Sequence, residues 1–226
     1  MSRKERRMNK NDKVLRFFTL PDMKVEKRNA SEGIPAQYIV RGHAAVFNQE
    51  TDICGWFSEV IAPGAFDNCD LTDVPLFTNH DDSKIPLARS RRNNGNSTMT
   101  LGIDETGLSI EARLDVDNNP EAAALYSAVS RGDITGMSFC FHPDKEAWDF
   151  SNEDYPKRTI TSISKVFEVS AVNNPAYEGT DISARDRDAL DNARKEVETA
   201  RSQALDKAKS EEEIKVLKLK NEILSK

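Results

Sequence analysis

The stretch "ITGMSFCFH", Ile134–His142, sets one serine between a Gly-Met step and two phenylalanines. Its residue types favour a β-strand, in which successive side chains point to opposite faces. One face carries three apolar side chains: Met137, Phe139 and Phe141. The other face carries a hydroxyl, a thiol and an imidazole: Ser138, Cys140 and His142. We expect the apolar face to anchor this strand in the core, which fixes the direction of Ser138 and makes it a candidate nucleophile.

His142 is the nearest candidate base for Ser138, but strand geometry excludes it. Four residues along a strand span about 13 Å at ~3.3 Å per residue. A general base must approach the hydroxyl within about 3 Å. The partner of Ser138 therefore has to come from another part of the chain.

Alternating runs on both sides of this stretch predict further strands. They are "QYIVRGHAAVFN" (37–48), "TMTLGID" (98–104), "GLSIEARLD" (107–115) and "RTITSISKVFEVSAV" (158–172). One clear helix, "NPEAAALYSAVSRGD" (119–133), has Asn119 as its N-cap and Gly132 as its C-terminal stop. We therefore expect a mainly β fold with helices (α+β), with an antiparallel, barrel-like core and a helical C-terminal tail.

Composition divides the chain into three predicted parts. Residues 1–32 form a basic, largely disordered N-terminal arm, with "VLRFFTL" (14–20) as a candidate first strand. Residues 33–184 form the folded domain, and residues 185–226 form a charged helical tail. In the tail, Ser210 has the capping-box pattern of a second helix start. A narrow apolar seam with three- and four-residue spacing, which favours pairing with another chain, runs through five residues: Leu190, Ala193, Val197, Ala200 and Ala204.

Overall composition excludes several classes of protein. No apolar run approaches the ~18–20 residues of a membrane span, and none follows the basic N-terminus as in a signal peptide. We therefore expect a cytosolic protein without membrane contact. The cysteines are odd in number and have no close pair, which argues against a disulfide framework or a zinc site: Cys54, Cys69 and Cys140. The basic residues 1–13 are compatible with contact to nucleic acid, but a solvated terminus is the commoner explanation and we expect no such partner.

The other two histidines differ in their surroundings. His43 lies within an alternating run, which favours a packed or surface role in a strand. His80 ends an apolar run in "PLFTNHD" (75–81), where scaffolds commonly deliver a catalytic side chain into a loop, although a structural or solvated histidine remains the alternative. A metal site from His80, Asp81 and Asp82 is disfavoured because it lacks a second spaced pair of ligands.

A serine–histidine pair needs a third group that orients the imidazole and stabilises its charged form. Glu168, in "SKVFEVSAV" (164–172), lies between two valines in a predicted strand. A carboxylate at such a position requires a cation or hydrogen-bond donors to offset its desolvation. A histidine would serve, and so would a Lys or Arg on a neighbouring strand.

Five segments in register resemble the tailed-phage prohead protease family, the capsid-maturation serine proteases related in fold to herpesvirus assemblins. They are "RGHAAVFN" (41–48), "FSEVIAPGAF" (57–66), "VPLFTNHD" (74–81), "GDITGMSFCF" (132–141) and "FEVSAVNNPAYEGT" (167–180). Together they cover roughly residues 38–181, and the resemblance implies that residues 33–184 are a serine protease domain. The resemblance implies a serine endopeptidase without cofactor or metal, with Ser138 as nucleophile, His80 as base and Glu168 as third member. The herpesvirus enzymes use a second histidine as third member, and residues 162–174 contain none.

The resemblance also implies a place of action, inside the viral procapsid in the host cytoplasm. The expected substrates are segments of the scaffold and of the major capsid protein, and the protease itself. The tail is then an assembly or scaffold contact, with self-association through its helices left open. Two alternatives remain: a non-catalytic assembly protein that retains the fold, and a cysteine hydrolase that uses Cys140.

Overall fold

The computed structural model of the protein describes residues 14–18, 22–32, 35–91, 96–173 and 184–224. These residues form eleven β-strands and two α-helices. The elements are β1 (Val14–Phe18), β2 (Lys24–Arg28), β3 (Gln37–Val46), β4 (Thr51–Ile53), β5 (Phe57–Ile61), β6 (Asp73–Thr78), β7 (Ala88–Arg91), β8 (Met99–Ile103), β9 (Gly107–Leu114), α1 (Pro120–Arg131), β10 (Gly136–Asp149), β11 (Lys157–Val172) and α2 (Ala184–Leu224). The expected mainly β, α+β composition is confirmed.

The strands form two sheets. The larger has seven strands in the order β1-β10-β11-β5-β4, with β6 pairing with β11 and β7 pairing with β6. The smaller has the order β2-β3-β9-β8, in which all three pairings are antiparallel. β6 and β11 pair in parallel. This parallel pair places the end of β6 beside the last residues of β11.

The expected barrel-like core is wrong for the described part of the chain. A barrel requires the first and last strands of a sheet to pair. Here the strands at the two ends of each order, β1 and β4 in one sheet and β2 and β8 in the other, do not pair with each other among the described residues. Alternation in the sequence reports that one face of a strand is buried, but it contains no information on whether the outer strands meet.

Helix α1 has the local signals that the sequence predicts. The Asn119 side chain accepts hydrogen bonds from two backbone N–H groups of the first turn, and Gly132 ends the helix with a φ of 77°. A left-handed residue at this position is most easily supplied by glycine. The helix buries Ala122, Leu125 and Val129, at three- and four-residue spacing.

The chain divides into two compact units. The first contains residues 1–51, 60–147 and 159–179, and the second contains residues 52–59, 148–158 and 180–226. The main hydrophobic core includes Phe139 and Phe141, whose stacked rings lie 4.5 Å apart between centroids. These two rings anchor β10 as the sequence predicts.

The second unit has a small apolar cluster of its own. Phe57 and Val197 are buried there, and Trp56 and Trp148 pack against them. The predicted seam of the tail therefore packs within its own chain at Val197. Ala204 is exposed, and the side chains of Leu190 and Ala193 lie outside the described residues.

The predicted second helix at Ser210 is wrong, because α2 continues through this residue without interruption. Serine in a helix interior costs only about 0.5 kcal/mol relative to alanine, and its neighbours Lys209 and Glu211 are strong helix formers. The capping-box pattern is therefore outweighed by its surroundings. None of the described helices is long and apolar enough to cross a membrane.

The predicted N-terminal arm contains two strands among its described residues, β1 and β2. Each pairs along its whole length with a strand of the folded domain, β1 with β10 and β2 with β3. These ten residues are ordered by backbone pairing, a long-range contact that their mixed composition does not reveal. Residues 1–13 lie outside the described part of the chain, and the boundaries of the three parts remain predictions.

Candidate active site

Ser138 lies near the start of β10, in the interior of the larger sheet. Its neighbours Met137 and Phe139 are fully buried in the core, as the alternation predicts. Ser138 itself is also fully buried, with 0% exposure. Its hydroxyl donates a hydrogen bond of 2.7 Å to the backbone carbonyl of Arg16 in β1. No pattern in the sequence predicts that β1 lies against Ser138.

His80 is delivered by a sharp reversal of the chain just after β6. Asn79 and His80 both have left-handed backbones, with φ of 53° and 59°. The Asn79 N–H donates to the Ala171 carbonyl at 2.9 Å, and its side-chain oxygen accepts from the Asn173 N–H at 3.0 Å. These two bonds fix the turn against the end of β11. The chain then turns back, so that the His80 N–H reaches the Ser170 hydroxyl.

His80 and Glu168 form a direct pair. The distance from His80 Nδ1 to Glu168 Oε1 is 2.5 Å, and the two side chains are 15% and 12% exposed. Glu168, the third member that the resemblance implies, therefore contacts the candidate base. The partner of its Oε1 in this bond is a histidine, and not the Lys or Arg that was the alternative. Since Glu168 accepts at Nδ1, Nε2 is the ring nitrogen left to exchange a proton with a hydroxyl.

Ser170 supports this pair and was missed by the sequence analysis. Its fully buried hydroxyl accepts from the His80 backbone N–H at 3.2 Å and donates to Glu168 Oε2 at 2.7 Å. One hydroxyl thus holds both the turn that carries the imidazole and the second oxygen of the carboxylate. The available signal was its position two residues after Glu168, which puts both side chains on one face of β11.

The position of Ser138 relative to Glu168 follows from the pairing of β10 with β11. His142 Nδ1 lies 3.0 Å from Ser164 Oγ, which also donates to the His142 carbonyl. Ser162 also bonds to Asp144, so a step forward along β10 matches a step back along β11, as in an antiparallel pair. We infer that the same register, continued four residues further, brings Ser138 opposite Glu168. Residues opposite each other in such a pair have Cβ atoms about 4.5–5.5 Å apart. The serine strand and the carboxylate strand are therefore neighbours, and the histidine comes from the strand on the far side of β11.

His142 is bonded to Ser164 and not to Ser138, in agreement with the strand geometry. Cys140 is a buried thiol on the same strand. No disulfide joins the three cysteines. Among the described residues, no group of three or more His, Cys, Asp or Glu side chains is arranged to hold a metal ion.

His43 forms a separate cluster with two carboxylates. Its Nδ1 lies 2.5 Å from Asp22 Oδ2, and its Nε2 lies 3.0 Å from Asp104 Oδ2. Burial alone would lower the pKa of His43, but the hydrogen bonds to the two carboxylates outweigh it and raise this pKa. On the carboxyl group of Asp104 burial acts in the opposite direction and would raise the pKa. Hydrogen bonds from His43 and from two backbone N–H groups outweigh burial and lower this pKa. His43 therefore connects the segment before β2 to the turn between β8 and β9.

A sequence model of the caudovirus prohead serine protease family matches residues 23–195. The match covers more than half of the chain and includes Ser138, His80 and Glu168, so the chain belongs to this family of capsid-maturation proteases. No curated protein and no solved structure matches the chain.

Proposed function

We propose that this chain is a serine endopeptidase whose catalytic residues are Ser138, His80 and Glu168. The observation that carries the proposal is the 2.5 Å bond between His80 Nδ1 and Glu168 Oε1, in a chain of the prohead protease family. A carboxylate at Nδ1 selects the imidazole tautomer whose Nε2 accepts a proton. This arrangement prepares His80 to act as a base toward a serine.

In the proposed mechanism, His80 Nε2 takes the proton of Ser138 as Oγ attacks the carbonyl carbon of the scissile peptide. The C–N bond then breaks, and the imidazolium returns its proton to the leaving amine. In the second half of the reaction, His80 takes a proton from water as the water oxygen attacks the acyl carbon. The ester C–O bond then breaks, and His80 returns the proton to Ser138 Oγ. Glu168 stabilises the imidazolium throughout.

The proposed substrates are segments of the scaffold and of the major capsid protein inside the procapsid, together with the protease itself. Family membership supports this assignment. We also propose that the fold is related to that of the herpesvirus assemblins. A non-catalytic assembly protein is the alternative, and it is favoured by one observation, the complete burial of Ser138.

Labelling with a fluorophosphonate, followed by peptide mapping, tests the catalytic assignment. We expect the label on Ser138, and we expect Ser138→Ala to abolish labelling and His80→Ala to slow it by a factor on the order of 10³–10⁵. His142→Ala is the matched control, because this histidine contacts Ser164 and we expect its loss to leave the rate of labelling within about threefold. A rate equal in His80→Ala and wild type would leave the assembly protein as the better explanation. A label on Cys140 would favour the cysteine hydrolase.

Co-expression with the coat and scaffold proteins tests the substrates. We expect shortened coat or scaffold protein with the wild type and intact proteins with Ser138→Ala. For self-processing, mass spectrometry should find fragments of the 25.3 kDa chain that are absent from Ser138→Ala.

We further propose that the C-terminal part of α2, around Ile214 and Leu217, mediates self-association. Ile214 and Leu217, which lie three residues apart and so on one side of the helix, are 49% and 60% exposed. In sedimentation-velocity experiments, the double variant Ile214→Glu/Leu217→Glu should shift the full chain toward monomer. A monomeric wild type at all concentrations would rule this out.

A further inference from the structure

The hydroxyl of the proposed nucleophile is engaged by the N-terminal strand of its own chain. Ser138 Oγ donates its one proton to the Arg16 carbonyl at 2.7 Å, and Ser138 is 0% exposed. A serine in this state cannot pass that proton to His80 or reach a substrate carbonyl. The inference below therefore rests on the proposed function, since it concerns how Ser138 becomes available.

Strand β1 lies along the outer edge of β10 beside Ser138. The two strands pair in antiparallel register over five residue pairs, in which Phe17 is the partner of Ser138. β1 is the end strand of its sheet, with β10 as its neighbour in the strand order. An end strand of five residues can leave without disrupting a pairing between other strands. Its departure would open the edge of β10 at the serine.

The geometry of the contact is that of a blocking strand and not of a substrate about to be cleaved. For attack, Oγ must face the carbonyl carbon, and the carbonyl oxygen must face separate donors that stabilise its developing charge. Here the carbonyl oxygen of Arg16 accepts from the attacking hydroxyl itself. The Arg16–Phe17 peptide is therefore held next to the nucleophile in an unreactive orientation.

The family match provides a separate indication. It begins at residue 23, after β1, and it contains His80, Ser138 and Glu168. The covering strand thus lies outside the matched residues, whereas all three proposed catalytic side chains lie within them. We propose that β1, Val14–Phe18, is an intramolecular inhibitor that docks on the edge of β10 and must leave before Ser138 reacts.

A reversible cross-link tests whether β1 must leave. Leu15 and Cys140 are register partners, and opposite residues in antiparallel pairs have Cα atoms about 4.5–5.5 Å apart, within the range of a disulfide. The variant Leu15→Cys should therefore form a disulfide with Cys140 on oxidation. We expect fluorophosphonate to label Ser138 at least tenfold more slowly in the oxidised protein than in the same protein after reduction. The control Leu15→Cys/Cys140→Ala should not respond to oxidation.

A release variant tests the opposite direction. Successive residues of a strand direct their N–H groups to opposite edges, so Arg16→Pro/Phe17→Pro removes one N–H that faces β10. We expect this full-length variant to label at least tenfold faster than wild type at Ser138. A melting transition followed by circular dichroism establishes that this variant is folded. If it is not folded, the comparison of oxidised with reduced Leu15→Cys decides whether β1 must leave.

The outcomes separate this inference from the proposed function. Equal labelling of Ser138 in oxidised, reduced and released proteins would overturn the inhibitory role of β1 and leave the nucleophile in place. Absence of label at Ser138 in every form, including the released one, would overturn both. Failure of folded Leu15→Cys to form the disulfide would contradict the register on which the inhibitory role depends.

Discussion

The Ser170 hydroxyl donates a 2.7 Å hydrogen bond to Glu168 Oε2, while Glu168 Oε1 is bonded to the imidazole of His80. Ser170 also accepts from the backbone N–H of His80. One buried side chain thus fixes both the carboxylate and the backbone turn that carries the imidazole.

Ser170→Ala should slow labelling of Ser138 by about tenfold, because the imidazole and the carboxylate lose their common support. A double-mutant cycle distinguishes positioning from a general loss of stability. In a His80→Ala background, Ser170→Ala should change the rate less than twofold, since Ser170 acts through His80. An equal loss in both backgrounds would indicate a merely structural serine. Ser170→Thr, which keeps the hydroxyl, should restore part of the rate.

Glu168→Gln should reduce the rate of labelling by a factor on the order of 10²–10⁴, because a neutral amide no longer stabilises the imidazolium or selects its tautomer. Thermal unfolding should show that the variant remains folded. Glu121→Gln is the matched control, since Glu121 is an exposed partner of Lys84. A rate within threefold of wild type for Glu168→Gln would exclude Glu168 as the third member.

His43 should make stability depend on pH. Its pKa is raised in the folded protein by Asp22 and Asp104, so its stabilising contribution is complete below the unfolded value near ~6.5 and is lost as the pH rises through the folded-state pKa. His43→Gln should therefore lower the melting temperature more at pH 5.5 than at pH 8.5. Melting curves of both proteins across this range measure the difference. A constant difference across this range would contradict a charged His43.

Arg158 is buried between two glutamates of the second unit. One of its guanidinium nitrogens, Nη1, lies 3.0 Å from Glu59 Oε2 and 3.0 Å from Glu196 Oε2, and the Arg158 side chain is 4% exposed. Arg158→Ala should lower the free energy of unfolding by about 3–5 kcal/mol, because it leaves Glu59 as a buried carboxylate without this partner. Urea unfolding measures the loss.

The exposed pair of Arg131 and Asp133 is the control for this measurement. Arg131→Ala should cost less than about 1 kcal/mol, because exposed ion pairs contribute little. Similar costs for the two arginine variants would show that burial does not strengthen the Arg158 interactions.

Features with local signals could be predicted from the sequence. Alternation in β10 placed Met137 and Phe139 in the core, and the cap residues Asn119 and Gly132 marked the ends of α1. The pairing of His80 with Glu168 was expected from the family resemblance, whereas the cost of desolvating the carboxylate required a partner but left histidine, lysine and arginine open.

Features that depend on distant pairing could not be predicted. The parallel contact of β6 with β11 and the docking of β1 on β10 join segments about 90 and 120 residues apart, and no local pattern encodes either contact. The barrel-like expectation failed for the same reason. Ser210 shows the converse error, since a correct local capping pattern was outweighed by the helix formers around it.

The left-handed backbone at Asn79 and His80 costs conformational free energy, and the catalytic proposal requires histidine at position 80 in spite of this cost. A residue with a side chain in the left-handed region loses on the order of 1 kcal/mol, and histidine is held there by its bonds to Ser170 and Glu168. Glycine adopts this backbone without that penalty. Directed evolution for thermal tolerance alone would therefore tend to select glycine at position 80 and discard the imidazole, so a library built on this chain needs selection for cleavage at the same time.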